Sequence, residues 1–390
     1  MQSTCPAEAG RPARVRQASA VLSRLRRPAT LQGLELFVAI PALNEERTIA
    51  DVIRRVPRAI PGVARVRVVV VNDGSTDATA ALSAEAGATV LHHPERRGVG
   101  AAFHTALAHT IAQGGDLLVT IDADGQFNPA DIPKLAAPVI AGDADFATAS
   151  RFKDPALVPE GMTGVKLWGN RQMSRLVSTI AGARYYDVSC GMRCYSRKAM
   201  LNLNLLGTFT YTQEVFLNLA FKRLRIAEVP IPVRGQREFG KSRVASNLLK
   251  YAVNTSRIIF RCYRDYRPLR FFGIVAAALL VPAVLLEAFF VGHYLWTGAF
   301  SPHKWAGFTG AALLVLGLIM LYTGMVGDML DRHRIYLEEV LYHLRSQAPQ
   351  QQLQAYRRTG AIEPASSNGN GTQAIEHGND RPTAAASVDG

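Results

Sequence analysis

Two aspartates separated by one alanine, Asp122 and Asp124, directly follow the apolar run 117–121. A short run of β-favouring residues that ends in acids and Gly125 predicts a buried strand that delivers carboxylates to the carboxyl edge of a sheet. Open α/β sheets bind ligands at that edge. Two carboxylates this close repel each other unless a cation lies between them, and oxygen ligands suit Mg²⁺ or Mn²⁺ bridging a diphosphate. The alternative is an acidic surface turn, because such turns are common after strands.

The elements that would position this pair recur along the first half of the chain. The apolar run 36–40 ends in the polar segment 41–46 and leads into a helical pattern that Pro57 stops, and the run 66–71 ends in the polar segment 72–77. A third strand is predicted at 89–91, before a helix that reaches about Gln113. Strands and helices that alternate with short links predict an α/β fold with a doubly wound, mostly parallel sheet. The carboxyl ends of its strands would then meet at one cleft.

Five motifs in this half and just after it form a recognisable series, at residues 41–46, 71–77, 122–126, 149–152 and 237–243. In type and order they resemble those of inverting family 2 glycosyltransferases. Within that family the chain resembles, more narrowly, the dolichol-phosphate mannose synthase and polyprenyl-phosphate glycosyltransferase branch. The resemblance covers about residues 34–326 and implies a nucleotide-sugar fold of the GT-A type.

The resemblance also implies roles for individual residues, as follows. The sugar nucleotide would be held by Pro41, Leu43, Glu45, Val71, Asp73, Asp122 and Ala123, and the metal, Mg²⁺ or Mn²⁺, by Asp122, Asp124 and Gln126. The phosphates would be surrounded by Arg151, Arg193, Arg237 and Arg243. The residues expected to take part in catalysis are Asp124, Asp187, Arg237 and Arg243.

Three positions depart from the family pattern. Leu43 stands where the family often has an aromatic residue, and Asn72 replaces the first of two aspartates, so the base of the donor stays open. Arg243 replaces a lysine. It keeps the positive charge but offers a planar fork of donors, so we expect phosphate binding to survive.

The acceptor implied by the resemblance is a polyprenyl phosphate. The segment 185–193 resembles the acceptor-side motif of the family, in which Asp187 is the usual candidate base, and Glu214 is a second candidate. A phosphate monoester has a second pKa of about 6, so its attacking oxygen is largely ionised at neutral pH. A strong base is then hardly needed, and the site must mainly neutralise and align clustered negative charges.

The charge distribution favours a membrane over a nucleic acid as the partner. The chain has a net charge of +13, which alone fits either anionic partner. Residues 234–270 contain ten Lys or Arg against two acids and lie directly before an apolar stretch. Basic segments at that position bind anionic leaflets. Residues 244–263 also have near-helical apolar spacing, which predicts an interfacial amphipathic helix or, alternatively, an ordinary surface helix.

Two apolar stretches, 271–292 and 306–327, are long enough to span a bilayer, because each would form about 33 Å of helix. Basic residues flank the outer ends of this hairpin, and the joining loop holds only Lys304. The positive-inside rule therefore predicts an integral protein of the plasma membrane with the catalytic domain and both termini cytoplasmic. A stripe of Gly310, Gly317 and Gly324 would allow close contact with the first span or with another subunit in a homo-oligomer.

These features divide the chain into six predicted regions: a basic tail (1–33), a catalytic domain (34–243), an interfacial segment (244–270), the transmembrane hairpin (271–327), a post-membrane helix (328–346) and a disordered tail (347–390).

The expected reaction moves one sugar, from GDP-mannose or UDP-glucose, to the lipid phosphate. Two other functions stay open. A processive polysaccharide synthase normally has a Gln-x-x-Arg-Trp motif and more spans, whereas residues 172–176 lack the Trp. A catalytically silent sugar-nucleotide sensor would not need the acids and arginines that the chain retains.

Overall fold

A computed structural model of the chain describes residues 33–160, 162–205, 212–235, 248–299, 303–347 and 363–364. The strands in this part are β1 (Leu34–Ala42), β2 (Val63–Asp73), β3 (Thr89–His93), β4 (Leu117–Thr120), β5 (Phe146–Ser150), β6 (Arg193–Ser196), β7 (Ile226–Pro230) and the two-residue β8 (Glu363–Pro364). The helices are α1 (Ile49–Arg54), α2 (Thr79–Glu85), α3 (Val99–Ala112), α4 (Ile132–Ile140), α5 (Gly164–Ala181), α6 (Arg197–Asn202), α7 (Thr212–Phe221), α8 (Leu248–Tyr266), α9 (Pro268–Thr297) and α10 (Lys304–Gln347).

The strands form one sheet in the order β7-β5-β6-β4-β1-β2-β3, with β8 beside β3. Strand β1 is parallel to β2 and β4, β2 is parallel to β3, and β5 is parallel to β7. Strand β6 runs antiparallel between β4 and β5. The prediction of a mostly parallel α/β sheet is therefore confirmed. The antiparallel β6 was not predicted, because it has only four residues and begins with an arginine.

Alternating side chains on the central strands feed two hydrophobic clusters, one on each face of the sheet. On β1, Phe37 and Ala39 belong to the cluster that includes α3 and α7 residues, whereas Leu36, Val38 and Ile40 belong to the cluster that includes α1 and α4 residues. Successive side chains of a strand point to opposite faces, so a strand covered by helices on both sides is apolar throughout. This burial fixes the strand register and with it the positions of the residues that follow each strand.

The two predicted spans lie within α9 and α10. Both helices are long and apolar enough to cross a membrane by length and composition, and little of their apolar windows is buried in the chain. Helix α10 continues without a break to Gln347, so the predicted post-membrane helix is the end of the same 44-residue helix.

The glycine stripe of α10 packs against α9. The sequence left open a contact with the first span or with another subunit, and the structure shows the contact with the first span. An added Cβ at Gly310 would lie 2.7 Å from Glu287 Oε1, and one at Gly317 would lie 2.6 Å from Leu280 Cδ2. Such distances leave no room for a side chain, so glycine allows the close approach of the two helices.

The end of α10 returns to the sheet domain and is fixed to it by polar contacts. Glu338 pairs with Lys222 at 3.2 Å, and the Arg334 guanidinium lies 3.9 Å from the centre of the Tyr266 ring. Arg345 donates to the carbonyl oxygen of Leu203 at 2.9 Å. The helix therefore connects the apolar hairpin directly to the sheet domain.

Candidate active site

The carboxyl ends of β1, β2, β4 and β5 lie at one edge of the sheet. Pro41 is opposite Val71 in the β1 and β2 register, and Ala39 is opposite Thr120 in the β1 and β4 register. The polar segments that follow these strands therefore meet at this edge, as predicted. The Val71 side chain is buried in a hydrophobic cluster, so only its main chain is available to a ligand.

Two of these segments, after β1 and after β2, are tied to each other by short hydrogen bonds. The main-chain N–H of Asn44 donates to Ser75 Oγ at 3.0 Å, and that of Thr76 donates to Asn44 Oδ1 at 2.8 Å. The N–H of Glu45 donates to Thr79 Oγ1 at 2.8 Å. Asn44 has a φ of 50°, a left-handed conformation that asparagine tolerates better than most residues. The two segments form one structural unit beside Pro41 and Leu43.

A hydroxyl group extends this unit to the acidic pair. The Thr48 hydroxyl donates to the carbonyl oxygen of Ala123 at 2.7 Å. The main chain between Asp122 and Asp124 is thereby held against the segment that follows β1.

Asp73 is buried at this edge and its carboxylate holds the loop between β3 and α3. Its Oδ1 lies 2.7 Å from His93 Nδ1 and accepts from the N–H of Arg97 at 2.9 Å. Its Oδ2 accepts from the N–H of Gly98 at 2.8 Å. The residue is 4% exposed. Asp73 therefore fixes the loop between β3 and α3. The sequence did not reveal this role, because the partners of Asp73 lie 20 or more residues further along the chain.

The acidic pair follows β4 as the sequence predicted. Asp124 is buried and its Oδ1 accepts from the N–H of Gln126 at 3.1 Å, whereas Asp122 is half-buried. Among the described residues no group of three or more His, Cys, Asp or Glu side chains could hold a metal ion. The N–H of Gln126 donates to Asp124, and a donor set of the two carboxylates and the Gln126 amide oxygen would fit Mg²⁺ or Mn²⁺ better than a softer metal.

Gln126 is also hydrogen-bonded to Arg234, which lies just before two arginines that are predicted to bind phosphate. Its Nε2 donates to the carbonyl oxygen of Arg234 at 3.1 Å, and the N–H of Arg234 donates to the carbonyl oxygen of Gln126 at 3.0 Å. Arg237 and Arg243 lie outside the described residues.

Gly191 brings the acceptor-side segment into contact with the acidic pair. A Cβ at this position would lie 2.8 Å from Asp122 Oδ2 and 3.2 Å from Oδ1. The Gly191 carbonyl oxygen also accepts from the Thr120 hydroxyl at 2.9 Å. Glycine is therefore needed here for the close approach of two segments that are about 70 residues apart in the sequence.

Arg151 and Asp187 form a bidentate ion pair next to this contact. Arg151 Nε donates to Asp187 Oδ2 at 2.7 Å and Nη2 donates to Oδ1 at 2.9 Å. The same carboxylate accepts from the N–H groups of Arg151 and Ser189. Asp187 is fully buried. Four donors hold this buried carboxylate in one orientation, so Asp187 can act as a fixed anchor for Arg151.

A second carboxylate, from Glu228 on β7, holds the main chain of the same segment. It accepts from the N–H of Tyr186 at 2.9 Å and from the N–H of Asp187 at 2.8 Å. Burial raises the pKa of Glu228, although the two N–H donors act in the opposite direction. Glu228 is not recognisable from the sequence, because it lies about 40 residues from its partners in a segment without a motif.

Arg193 occupies a different place from the one expected. It is fully buried, and its guanidinium donates to the carbonyl oxygens of Cys190, Val188 and Thr212 at 2.8–2.9 Å. The prediction that Arg193 contacts phosphate does not agree with this position. Because the Arg193 guanidinium donates to three main-chain carbonyl groups, it supports the acceptor-side segment from inside the domain.

Glu214, the second candidate base, lies on α7. It lines a cavity of about 670 Å³ between α3, α7, α8 and α10, together with residues such as Asn218 and Cys262. Its neighbour Gln213 reaches towards the acceptor-side segment, where its Nε2 is 3.4 Å from Ser189 Oγ.

The site has paired carboxylates, tied strand-end segments and the ion pair of Arg151 and Asp187 on a mostly parallel sheet, as expected for the glycosyltransferase class that the motifs predict. Comparison with known proteins agrees with this class. The model of the glycosyl transferase family 2 matches residues 37–202. The UDP-N-acetylglucosamine--dolichyl-phosphate N-acetylglucosaminyltransferase of Methanococcus voltae is 30% identical over 216 residues, which cover 50% of this chain and 84% of that protein. The chain belongs to glycosyl transferase family 2, and the family predicted from the motifs is confirmed.

Two further relatives carry names of the same kind. The polyprenol monophosphomannose synthase of Mycolicibacterium smegmatis is 29% identical over 241 residues, which cover 58% of this chain and 87% of that protein. The undecaprenyl-phosphate 4-deoxy-4-formamido-L-arabinose transferase of Salmonella choleraesuis is 26% identical over 331 residues, which cover 79% of this chain and 94% of that protein. These names agree with the polyprenyl-phosphate branch of the family that the motifs indicated.

Proposed function

We propose that this protein is a membrane-bound inverting glycosyltransferase that moves one sugar from a nucleotide sugar to a polyprenyl phosphate. The observation that carries the proposal is the contact between Asp122 and Gly191. It places the acidic pair of the donor side directly against the segment that holds Asp187. Donor and acceptor bound at these two places would meet at one edge of the sheet.

On the donor side, the strand-end segments would form the wall for the base and ribose, with Pro41, Leu43, Glu45, Val71 and Asp73 as the family pattern implies. The hydrogen bonds between the two segments hold this wall in one shape. Asp122 and Ala123 would border the nucleotide where the wall meets the acidic pair. A rigid wall lowers the ordering cost of binding, which supports a nucleotide as the ligand.

Asp122, Asp124 and Gln126 would hold a divalent cation, Mg²⁺ or Mn²⁺. When bound, such a cation supplies positive charge that stabilises a diphosphate leaving group. Arg151, Arg237 and Arg243 would add guanidinium groups around the phosphates, and the link between Gln126 and Arg234 supports a place near the acidic pair for the segment that follows.

The reaction would then need alignment more than a base. An ionised oxygen of the lipid phosphate attacks the anomeric carbon from the face opposite the nucleotide, and the bond from that carbon to the nucleoside diphosphate breaks. Asp187 would hold Arg151 in a fixed orientation towards the incoming phosphate, because the pair is bidentate and Asp187 is buried. Charge neutralisation by fixed donors, rather than proton transfer, would lower the barrier.

The lipid acceptor is favoured by the relatives and by the helices. The three relatives named above differ in the sugar that their names give, but each name gives a polyprenyl, undecaprenyl or dolichyl acceptor. Helices α9 and α10 would place this chain in the membrane where such lipids reside. The basic flanks of the hairpin support a cytoplasmic catalytic domain and cytoplasmic termini.

A donor panel tests the proposal. Purified protein in lipid would be incubated with polyprenyl phosphate, Mg²⁺ or Mn²⁺ and one labelled sugar nucleotide at a time, with GDP-mannose and UDP-glucose first. We expect label in the organic phase with one donor and one sugar per lipid, and its loss in Asp124→Asn. The matched control is Asp143→Asn, which changes an exposed acid on the turn before β5.

Other outcomes would contradict the proposal. Products that carry several sugars would indicate a processive synthase. Tight binding of a sugar nucleotide with no transfer to lipid phosphate, in the presence of either cation, would indicate a sensor or an assembly subunit.

A further inference from the structure

His93 is a histidine whose side chain has no solvent exposure and whose two ring nitrogens both have polar partners. Its Nδ1 lies 2.7 Å from Asp73 Oδ1, and its Nε2 lies 2.9 Å from the hydroxyl oxygen of Thr105. Because an ionised carboxylate only accepts hydrogen bonds, Nδ1 carries the proton that lies between His93 and Asp73. The Thr105 hydroxyl can then donate to Nε2 of a neutral ring. The ring therefore connects a carboxylate at the sheet edge to a helix.

The strand register places His93 for this contact. Asp73 is the last residue of β2 and pairs with His93, the last residue of β3. Thr105 belongs to α3, which follows β3 and packs against β1 and β2. The contacts therefore join the ends of two neighbouring strands to the helix that covers them.

The same carboxylate also holds the start of α3, so that the contacts form a closed ring. Asp73 accepts from the N–H groups of Arg97 and Gly98, which come just before α3, and Thr105 leads back from α3 to His93. Three donors among the described residues leave about one of the roughly four lone-pair sites of the carboxylate for a ligand. A carboxylate that is already fixed loses little freedom when a ligand binds to it.

We propose that His93 is a positioning residue for the donor. Its Nδ1–H would fix the Asp73 carboxylate so that the remaining lone pair accepts one hydrogen bond from an N–H group of the base or a hydroxyl group of the ribose. Thr105 would in turn hold the ring in place. The inference rests on the proposed function, which places the sugar nucleotide at Asp73, and it adds to the donor side a residue 20 positions further along the chain.

Two substitutions of similar size separate the two contacts of His93. In His93→Asn the amide Nδ2 takes the place of Nδ1 and can donate to Asp73, but it does not reach Thr105. In His93→Gln the amide group takes the place of Nε2, so the contact with Thr105 is kept and the donor to Asp73 is lost. We expect the nucleotide Kd to rise about tenfold in His93→Gln and less than about threefold in His93→Asn.

The measurement is binding of GDP and of UDP to the full chain in nanodiscs with Mn²⁺, by titration calorimetry. Where transfer occurs, the donor KM should follow the Kd, while the acceptor KM and the rate at saturating donor should stay unchanged. Thermal unfolding of each variant would show that it remains folded.

A matched pair of threonines on α3 supplies the control. Thr105 and Thr110 are both buried, but the hydroxyl of Thr110 donates to the carbonyl oxygen of Ala106 in the same helix at 2.8 Å. Thr105→Val should raise the nucleotide Kd about threefold, because the ring of His93 loses its second partner. Thr110→Val should leave the Kd unchanged.

The other outcomes are equally decisive. If His93→Asn and His93→Gln change the Kd equally, or not at all, His93 only fills the core and the proposal is overturned. Equal rises of the donor and acceptor KM would also contradict it. If the unaltered protein binds neither GDP nor UDP, the donor part of the proposed function is wrong and this inference fails with it. The expected order of Kd values without transfer to a lipid would contradict the proposed reaction and support the role of His93.

Discussion

The proposed donor half and the proposed acceptor half of the site are built in different ways. The donor half consists of segments that directly follow strands and are tied by hydrogen bonds such as that from Thr76 to Asn44, in which neither partner is charged. The acceptor half depends on charges: Arg151 and Asp187 pair with each other, and Glu228 holds the main chain of Asp187. Asp187 is fully buried, whereas Asn44 is exposed.

The difference predicts how each half responds to substitution. Removing one exposed neutral hydrogen bond costs little, because water replaces the lost partner. Removing one member of a buried charged pair leaves the other without compensation, which is far more costly. Donor-side variants should therefore change donor binding moderately, and acceptor-side variants should change acceptor binding and stability strongly.

The acidic pair lies between the halves, and its loss should have the largest effect. Asp124→Asn removes a carboxylate from the proposed cation site, so we expect transfer to fall by about 10²–10³-fold, the range seen when one electrostatic stabiliser of a transition state is lost. Initial rates at saturating donor and acceptor measure this, with Asp143→Asn as the matched control. A rate close to that of the unaltered protein would remove the acidic pair from the mechanism.

Asp187→Asn should come second, with a loss of transfer of about 100-fold, as expected when alignment at a reacting centre is disturbed. The substitution leaves Arg151 without its charged partner, so thermal stability should fall as well. The double variant R151Q/D187N removes both charges and should regain part of the stability but not the activity. If Asp187→Asn costs more transfer than Asp124→Asn, Asp187 acts as the base and the anchoring role is wrong.

Glu228→Gln should have a smaller effect that is confined to the acceptor. A glutamine presents one oxygen and one NH₂ group, so one of two N–H donors loses its acceptor, and we expect the acceptor KM to rise about tenfold with the donor KM unchanged. Glu160→Gln, at an exposed position, is the control. Equal changes in both KM values would contradict a role limited to the acceptor half.

The same residue predicts a pH effect. Because burial raises the pKa of Glu228, the carboxyl group takes up its proton at a higher pH than an ordinary glutamate and then accepts hydrogen bonds less well. The acceptor KM of the unaltered protein should therefore rise as the pH falls through this raised pKa. In Glu228→Gln this rise should be absent.

Asn44→Ala should have the smallest effect. It removes the acceptor for the N–H of Thr76 and places alanine at a positive φ. We therefore expect the free energy of unfolding to fall by about 1 kcal/mol and the donor KM to rise several-fold. Acceptor KM should not change. A change in acceptor KM instead would show that the halves are not separate.

What could be predicted from the sequence follows the same division. The strand-end segments and the acidic pair were predictable because apolar runs followed by polar residues are local signals, and the parallel register then brings them together. Glu228 and the contact at Gly191 were not predictable, since both join segments that are distant in the chain.

Arg193 shows the limit of assigning roles by motif. Its place in the acceptor-side segment suggested phosphate binding, but it begins β6 and points into the domain, where three carbonyl groups surround it. An arginine close to a site in sequence binds phosphate only if its strand register turns it outward, and the antiparallel β6 was not anticipated.

The unbroken course of α10 has a mechanical consequence. A helix of 44 residues is about 66 Å long and resists bending, and its far end is clamped to the sheet domain through Glu338 and Arg345. The sheet domain is therefore held in a fixed position relative to the apolar hairpin and is not attached by a flexible linker. In the proposed membrane orientation the catalytic edge would keep a constant distance from the bilayer surface. A long flexible lipid would then have to bring its phosphate up to the enzyme.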